Sequence, residues 1–471
     1  RRSLAQAFRF NGIVPFPAAC KKGADGAMGG SNAKAPAKSN AAEMQKVSND
    51  NYIEQGQHPP LSLTRGRVKT GAFGPVAMVI QVLFIVAFWP TDYDFVSSSV
   101  FDETVMYSFL GSILTLLLAG MGFLYAYLRS YGLSAVGMAL FQIALGLQWA
   151  LLVQGWMRQS TIELAFTFKD FSQATMAVFT SVISFGVLAG KLSPLQTLVL
   201  VMGEIVCYAG NKVWLLDHVL AFKDNSSSVT VCAFGAYFGL AASLVYGPAK
   251  DQVASAMVSG TYVSELFGFL GALIMWINWP SVIISELETG SAAQRMAIMN
   301  TIFALLSSTV IAFAATTMPT QRLYTSVALA SLAGGVAIGA TANLQLRPGL
   351  AALIGAVAAG LSCYCFKAPF GNTIPFDTFN INAIFGVPGL FGGFVSVIAP
   401  MFVPGCSLDW TKQLGGVLWT FVFAVISGAV TGFVLGRLQP PAVAYTDECY
   451  WEPADDIPRK ANPGSVGAAF E

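Results

Sequence analysis

Charge is scarce in this sequence, since Asp, Glu, Lys and Arg together make up 11% of its 471 residues. Soluble globular domains usually carry about 25%, so this composition excludes an ordinary soluble enzyme. The two charge signs nearly cancel, at a net charge of +1, whereas a nucleic-acid-binding protein presents a strongly basic surface. Because 55% of the residues are hydrophobic, the remaining class is a membrane protein, with the lipid bilayer as its first partner and no nucleic acid.

Cysteine and histidine are also too few, or too scattered, for several kinds of site. The seven cysteines include no pair with two residues between them, which argues against a zinc site and against a disulfide framework. The two histidines are His58, in the N-terminal tail, and His218, which we assign to a loop beside Asp217. No constellation of nucleophile and base is recognisable, so we expect neither enzymatic activity nor a metal or other cofactor.

Long apolar runs dominate what is present. About 20 apolar residues cross a bilayer as a helix, because lipid cannot satisfy an unpaired backbone. Twelve candidate spans follow from this rule: 76–90, 105–128, 132–155, 171–190, 194–216, 228–246, 261–283, 295–316, 325–343, 348–366, 382–400 and 413–437. The loops after even-numbered spans are net basic and those after odd-numbered spans net acidic, which places both termini on the positive, inner side. The predicted fold class is an all-α polytopic membrane protein.

The two ends of the chain differ from the membrane domain, which we assign to residues 71–437. Residues 1–70 form a low-complexity tail whose first 40 residues hold seven Lys and Arg against one acid. Such composition is typical of an organellar transit segment, or equally of a solvated basic tail. An organelle inner membrane and the plasma membrane therefore both stay open. The C-terminal tail, 438–471, carries Tyr445, Tyr450 and Trp451, which we interpret as aromatic anchors for a partner.

Two segments of the chain echo each other. Asp224 is followed eight residues later by Cys232, and Asp377 is followed eight residues later by Phe385. The first aspartate lies on the acidic side of the membrane and the second on the basic side, five spans later. This arrangement predicts an inverted repeat of five plus five helices with a shared site near the midplane.

Several motifs resemble the Rhesus glycoproteins of the ammonium transporter family, in the family's order between residues 105 and 400. They are Tyr131-Gly-Leu-Ser-Ala-Val-Gly137, the stretch 147–156, Gly190-Lys-Leu-Ser-Pro-Leu-Gln196, Phe234-Gly-Ala-Tyr-Phe-Gly-Leu240, Trp276-Ile-Asn-Trp-Pro-Ser281, 332–339 and the element 377–389. The resemblance implies twelve spans in a five-plus-five inverted repeat and a homotrimer. It also implies a narrow pore in each protomer for ammonium, passed as ammonia along two histidines, or for another small neutral gas such as carbon dioxide.

The chain departs from the family at the pore itself. Carried over by motif, the first pore histidine falls on Cys232 and the second on Phe385. A thiol is a weak hydrogen-bonding group and a phenyl ring has none, so neither can relay a proton. The two gating phenylalanines fall on Val282 and on about Met176, although Phe171 lies close to the latter. A family asparagine falls on Leu329.

The outer vestibule of the family is partly retained. Asp224 and Trp279 match its vestibule residues, and Asp377 is the inner partner of Asp224. The alternative is structural: both aspartates cap helices, and Trp279 packs between helices. Two charges within the fifth span, Glu204 and Lys212, replace a glutamine and a glutamate of the family. Whether they pair with each other, reach the span ends or contact a neighbouring subunit stays open.

Three functional interpretations follow. The first is a channel for ammonium or ammonia with impaired or lost conduction. The second is a non-conducting structural subunit of a larger membrane complex, and the third is a sensor that binds ammonium without passing it. The absence of both imidazoles argues against efficient conduction in all three interpretations.

Overall fold

The structure is a computed structural model. It describes residues 72–93, 100–128, 130–159, 164–220, 222–224, 227–247, 260–316, 324–367, 377–403, 406, 408–441, 444–447 and 450–451. The predicted basic tail, 1–70, lies outside the described residues.

Helices make up most of the residues that the structure describes, and they follow the order of the predicted spans. They are α1 (Phe73–Phe88), α2 (100–125), α3 (Gly132–Gln159), α4 (Phe168–Leu188), α5 (194–220), α6 (228–246), α7 (Tyr262–Ile284), α8 (Ala292–Thr316), α9 (324–341), α10 (Pro348–Lys367), α11 (382–401) and α12 (Trp410–Leu435). Within the described ranges, nine helices are long and apolar enough to span a membrane, and α1 and α9 are shorter apolar helices. The all-α polytopic membrane fold is confirmed.

Two helix ends differ from the prediction for identifiable reasons. Helix α1 ends at Phe88 rather than at residue 90, since Pro90 has no N–H for the next helical bond. Helix α5 continues to residue 220 through a π-helical segment, Gly210–Leu220, and the Phe222 N–H closes it on the Leu216 carbonyl at 3.0 Å. Placing His218 in a loop was therefore wrong, because it lies in the last turn of α5.

Side-chain caps fix where the inner ends of α5 and α7 begin. Ser193 and Gln196 form a reciprocal capping box, in which the Ser193 N–H donates to Gln196 Oε1 at 2.8 Å. Thr261 and Ser264 form the equivalent pair for α7, and Glu265 lies in the first turn. A carboxylate there is stabilised by the positive end of the helix dipole. Glu265 thus lies at the start of α7.

Strand pairing between loops and close contacts between helices hold the membrane domain together. Two short parallel strands, β1 (Asp92–Tyr93) and β2 (Ala165–Phe166), join the loops that follow α1 and α3. Helix α4 is enclosed by its neighbours along most of its length. Helix α12 approaches α6 so closely that a Cβ on Gly428 would overlap the Phe238 carbonyl oxygen. Small residues permit such contact between helices in a bilayer.

The end of the described chain folds back onto the inner face of the membrane domain. We call residues 444–447 and 450–451 the C-terminal strap. The Tyr445 N–H donates to the Gly190 carbonyl at 2.9 Å, and the Tyr445 side chain is buried. Asp447 accepts from the Ser134 N–H at 2.7 Å, and the Trp451 indole donates to the Ser134 hydroxyl at 3.1 Å. Tyr445 and Trp451, interpreted above as anchors for a partner, contact the chain's own helices.

Candidate functional site

Asp224 closes the outer N-terminus of α6. Its Oδ2 accepts from the N–H groups of Val229 at 2.8 Å and Thr230 at 2.7 Å, and from the Thr230 hydroxyl at 3.0 Å. Its Oδ1 accepts from the Ser228 N–H at 3.1 Å. Burial raises the pKa of Asp224, and the hydrogen bonds from Thr230 and Val229 oppose that shift. The carboxylate is therefore engaged by the helix that it caps.

Asp377 repeats this arrangement on the inner side. Its Oδ1 accepts from the Ile381 N–H at 2.8 Å and its Oδ2 from the Asn382 N–H at 2.9 Å. The acceptors reach the backbone four and five residues onward, as they do at Asp224. Both aspartates thus have the cap geometry that the sequence left open beside a binding role, and the inverted repeat has a physical counterpart at each end.

A buried lysine lies beside the inner cap. The Lys191 Nζ donates to the Ser243 hydroxyl at 3.1 Å and to the Val187 carbonyl at 3.4 Å. Loss of hydration lowers the pKa of Lys191 to about 8, and the negative charge of Asp377 opposes this shift. Desolvation likewise raises the pKa of Asp377 to about 6, against the hydrogen bonds from Asn382 and Ile381 and the charge of Lys191.

The two positions that the sequence motifs match to the pore histidines of the family lie in equivalent backbone structures. Cys232 lies in the π-helical turn Ser228–Ala233, which begins α6. Phe385 lies in the π-helical turn Asn382–Gly386, which begins α11. Both side chains are buried. A π-helical turn inserts an extra residue and often marks a functional position, so the same backbone device occurs in both halves of the chain.

Phe385 packs in an aromatic cluster with Phe179 of α4 and Trp279 of α7. Its ring centroid lies 6.0 Å from that of Phe179 in a T-shaped contact and 6.3 Å from that of Trp279 in a stacked contact. The Phe179 and Trp279 centroids are 6.0 Å apart. These spacings are those of favourable aromatic pairs. The three rings thus pack together around Phe385.

Among the described residues, the indole ring of Trp279 contacts the rings of Phe179 and Phe385. It is 1% exposed, and its indole N–H has no hydrogen-bond partner among the described residues. A Cβ on Gly335 would lie 2.5 Å from the indole ring, so this glycine makes room for it. The structure places Trp279 against Phe385, and a vestibule role for Trp279 stays a prediction.

The other altered positions are also inside the protein. Met176 has no exposed surface, and Val282 and Leu329 are 1% and 5% exposed. Phe171, the candidate substitute for the gate, packs edge-on against Phe166 of β2 at 6.5 Å. Met176, Val282 and Leu329 are therefore almost completely enclosed by the protein.

The two charged residues of α5 do not pair with each other. The Lys212 Nζ donates to Glu286, in the turn after α7. Glu204 Oε1 lies 2.5 Å from the Ser184 hydroxyl of α4, which also lies 2.7 Å from the Gly235 carbonyl of α6. Each of the two residues thus has its own partner within the chain, and the two do not pair with each other.

Sequence reasoning missed Phe179, Gly335 and Ser184. Phe179 lies one helical turn after Met176, and this spacing on a buried helix was the available signal. Gly335 was identified only as part of the motif 332–339. Ser184 had no distinguishing pattern. Within the part of the chain that the structure describes, no three His, Cys, Asp or Glu residues come together in a possible metal site.

Comparisons with known proteins agree with these features. The family described as "Ammonium Transporter Family" matches residues 75–444. The chain is similar to the ammonium transporter Rh type A of Bos taurus, at 35% identity over 74% of this chain and 83% of the relative. It is also similar to the ammonium transporter Rh type C of Rattus norvegicus, at 30% identity over 72% of this chain and 74% of the relative.

Solved structures give the same result for the fold. The Rh50 protein of Nitrosomonas europaea, a Rhesus-family channel, superposes with a TM-score of 0.67 at 28% identity, covering 75% of this chain and 94% of that one. A mutant of Mep2 from Candida albicans superposes with a TM-score of 0.60 at 15% identity, over 74% and 86% of the two chains, which supports the fold alone. The extent of the family match and the identity to Rh type A together show that this chain belongs to the ammonium transporter family, on its Rhesus side.

Proposed function

We propose that this chain is a Rhesus-family membrane protein in which the ancestral path for ammonium or ammonia is closed, so that conduction is lost or strongly reduced. The observation that carries the proposal is Phe385, which has no exposed surface and stacks on Trp279 where the family places a histidine. The all-carbon ring fills the space and offers no hydrogen bond.

The chemistry of conduction supports the same proposal. A bare cation in hydrocarbon is very costly, so ammonium must lose a proton and ammonia must find polar partners on its way. Cys232 supplies a weak partner and Phe385 none. The indole N–H of Trp279 is a donor without a partner among the described residues, and one donor does not make a relay.

Stopped-flow measurement of ammonia flux tests the proposal. The purified protein is reconstituted in proteoliposomes with an internal pH dye, beside empty vesicles and vesicles that contain a conducting Rhesus protein. We expect a rate near that of the empty vesicles. Rates like those of the conducting relative, lowered by Asp224→Asn, would overturn the proposal.

The double variant Cys232→His/Phe385→His sharpens this test. It restores both imidazoles on the π-helical turns that still carry the two positions. We expect flux above that of the unmodified protein, with Cys232→His alone as the matched control that leaves the aromatic cluster intact. Equal flux in all three forms, at equal folded protein, would argue that some other feature closes the path.

A role as a non-conducting subunit of a larger membrane complex is the second proposal, favoured by a scaffold whose caps and helix contacts persist around a filled path. Family membership also supports a homotrimer. Native mass spectrometry and native gels after mild detergent extraction measure whether the protein is a homotrimer and whether it belongs to a larger complex. Fractionation of cell membranes before extraction identifies the membrane that holds it. A chain deleted of residues 1–70 should leave the complex, and unchanged migration would contradict this role for the tail.

A further inference from the structure

A pair of glutamines joins α1 to α3 near the middle of both helices. The Gln81 Nε2 donates to Gln148 Oε1 at 2.7 Å, and the Gln148 Nε2 donates back to Gln81 Oε1 at 3.2 Å. Next to this pair, Phe84 of α1 stacks on Trp149 of α3 at 5.9 Å. Because both glutamines lie far from the helix ends, they stand at the depth of the hydrocarbon core of the bilayer.

The amide of Gln81 keeps hydrogen-bonding capacity that the described residues do not use. A glutamine amide has two N–H donors and an oxygen that accepts two hydrogen bonds. Both hydrogens of Gln148 are engaged, one by Gln81 and the other by the Ala144 carbonyl at 3.0 Å. Gln81 donates one hydrogen to Gln148, and its second N–H has no hydrogen-bond partner within the described part of the chain. Gln81 is exposed, so this donor and one lone pair of its oxygen are accessible from outside the protein.

Exposed apolar residues surround the pair on the same faces of the two helices. We call this surface the Gln81 seam, and it consists of Met78, Gln81 and Ile85 of α1 and Leu140, Ala144 and Gln148 of α3. Met78, Ile85 and Leu140 are 72%, 54% and 56% exposed. Lipid chains can cover these apolar side chains, but they offer nothing to an amide. The seam therefore fits a partner that carries a polar group at the depth of Gln81.

We propose that the Gln81 seam is an interface between two copies of this chain, related by a two-fold axis along the membrane normal. A carboxamide is complementary to itself, since the free N–H of each Gln81 can donate to the oxygen of the other. Two-fold symmetry brings the same residue of both copies to the same depth, so donor and acceptor meet without any further adjustment. Polar side chains that hydrogen-bond across helices hold such helices together in a bilayer.

The tails of the chain supply no other occupant for the seam. Residues 1–70 and 452–471 contain no apolar run of membrane-spanning length, so neither can lie beside α1 within the bilayer. The proposal goes beyond the proposed function, because it concerns assembly in the membrane and not conduction. A two-fold contact doubles the number of chains in whatever assembly the protein otherwise forms, including a homotrimer.

Native mass spectrometry of the full chain in mild detergent tests this doubling. Gln81→Met keeps the length of the side chain and removes the amide, and we expect it to halve the mass of the assembly. The matched control is Leu83→Met, because Leu83 is 59% exposed and lies on the opposite side of α1 from Gln81. Its mass should equal that of the unmodified chain. An unchanged mass in Gln81→Met, or the same loss in both variants, would overturn the proposal.

Disulfide cross-linking in membranes supplies a readout that does not require removal of Gln81. The seven cysteines of the unmodified chain include none in α1. We expect Met78→Cys and Ile85→Cys each to give cross-linked pairs of chains under mild oxidation, and Leu83→Cys to give none. Addition of Gln81→Met to Met78→Cys should abolish the pairs. Absence of pairs in both seam variants, an equal yield from Leu83→Cys, or a cross-link to a different protein instead would each contradict a seam between two copies.

Discussion

The outer and inner halves of the membrane domain share a backbone device but differ in what surrounds it. On each side an aspartate caps a helix that begins with a π-helical turn. The outer turn carries a small thiol at Cys232, and the inner turn carries the bulky ring of Phe385. The difference teaches that helix capping and backbone geometry can stay the same while the side chain on the turn changes, because capping stabilises the fold whether or not anything is conducted.

Truncation of Phe385 and of Cys232 should give the largest difference in stability between the inner and outer halves. Phe385→Ala removes a buried ring that contacts Phe179 and Trp279, and such changes cost about 3–5 kcal/mol. Cys232→Ala removes only one sulfur atom, and we expect about 1 kcal/mol. Unfolding of both variants in mixed detergent micelles measures the difference. Similar losses would mean that the aromatic cluster does not support the fold as its packing indicates.

The caps should differ less, in favour of the outer one. Asp224 accepts four hydrogen bonds and Asp377 accepts two from backbone N–H groups. Because each charge-assisted bond contributes about 1.5 kcal/mol or more, we expect Asp224→Ala to destabilise by about 3 kcal/mol and Asp377→Ala by about 2 kcal/mol. The same unfolding assay compares the two variants. Asp409 caps the exposed start of α12, so Asp409→Ala serves as a control with a small expected effect. A larger loss at Asp377 would reverse the comparison.

The sequence was sufficient for the parts of the fold that depend on hydrophobic length and on local capping. The twelve helices appear in the predicted order because each apolar run must satisfy its own backbone in lipid. The eight-residue spacing also identified Cys232 and Phe385 as corresponding positions, but it did not predict that each lies in a π-helical turn.

Contacts between distant residues could not be predicted in the same way. The partner of Lys212 is 74 residues away at Glu286, and Phe385 meets Trp279 and Phe179 across three helices. Tyr445 reaches Gly190 only because the chain folds back after α12, and no local pattern signals such a return. The family resemblance named the altered positions, but the packing that fills them follows from tertiary structure.

The inner half should show a pH dependence of stability from Asp377 and Lys191. The folded pKa of Asp377, about 6, lies above the ordinary value near 3.9. Its folded state binds more protons, so stability falls as pH rises through that interval. The pKa of Lys191, about 8, lies below the ordinary 10.4, so stability rises again above pH 8. We expect a minimum between pH 6 and pH 8, with changes on the order of 1 kcal/mol on either side.

Variants assign the two limbs of this profile. Asp377→Asn should flatten the acidic limb and Lys191→Met the alkaline limb, as measured by unfolding free energy from pH 4 to pH 10. A profile that keeps both limbs in the double variant would assign them to other groups.

The smallest effect should come from Glu204, and it distinguishes the two charged residues of α5. The Ser184 hydroxyl has one hydrogen, yet it lies 2.5 Å from Glu204 Oε1 and 2.7 Å from the Gly235 carbonyl. If Ser184 donates to the carbonyl, the hydrogen of the other contact must come from Glu204, which is then a neutral carboxylic acid. Its full burial, with no partner for Oε2 among the described residues, agrees with this assignment.

Glu204→Gln should therefore change stability by less than about 1 kcal/mol, since an amide N–H can donate to Ser184 as the acid does. Lys212→Met, on the same helix, should be far more damaging, because it leaves the Glu286 charge unpaired. Infrared difference spectra of the two Glu204 forms supply an independent readout, and we expect a protonated-carboxyl band that is lost in Glu204→Gln. A large loss of stability in Glu204→Gln, or a carboxylate band in its place, would mean that α5 carries two buried charges and not one charge and one neutral acid.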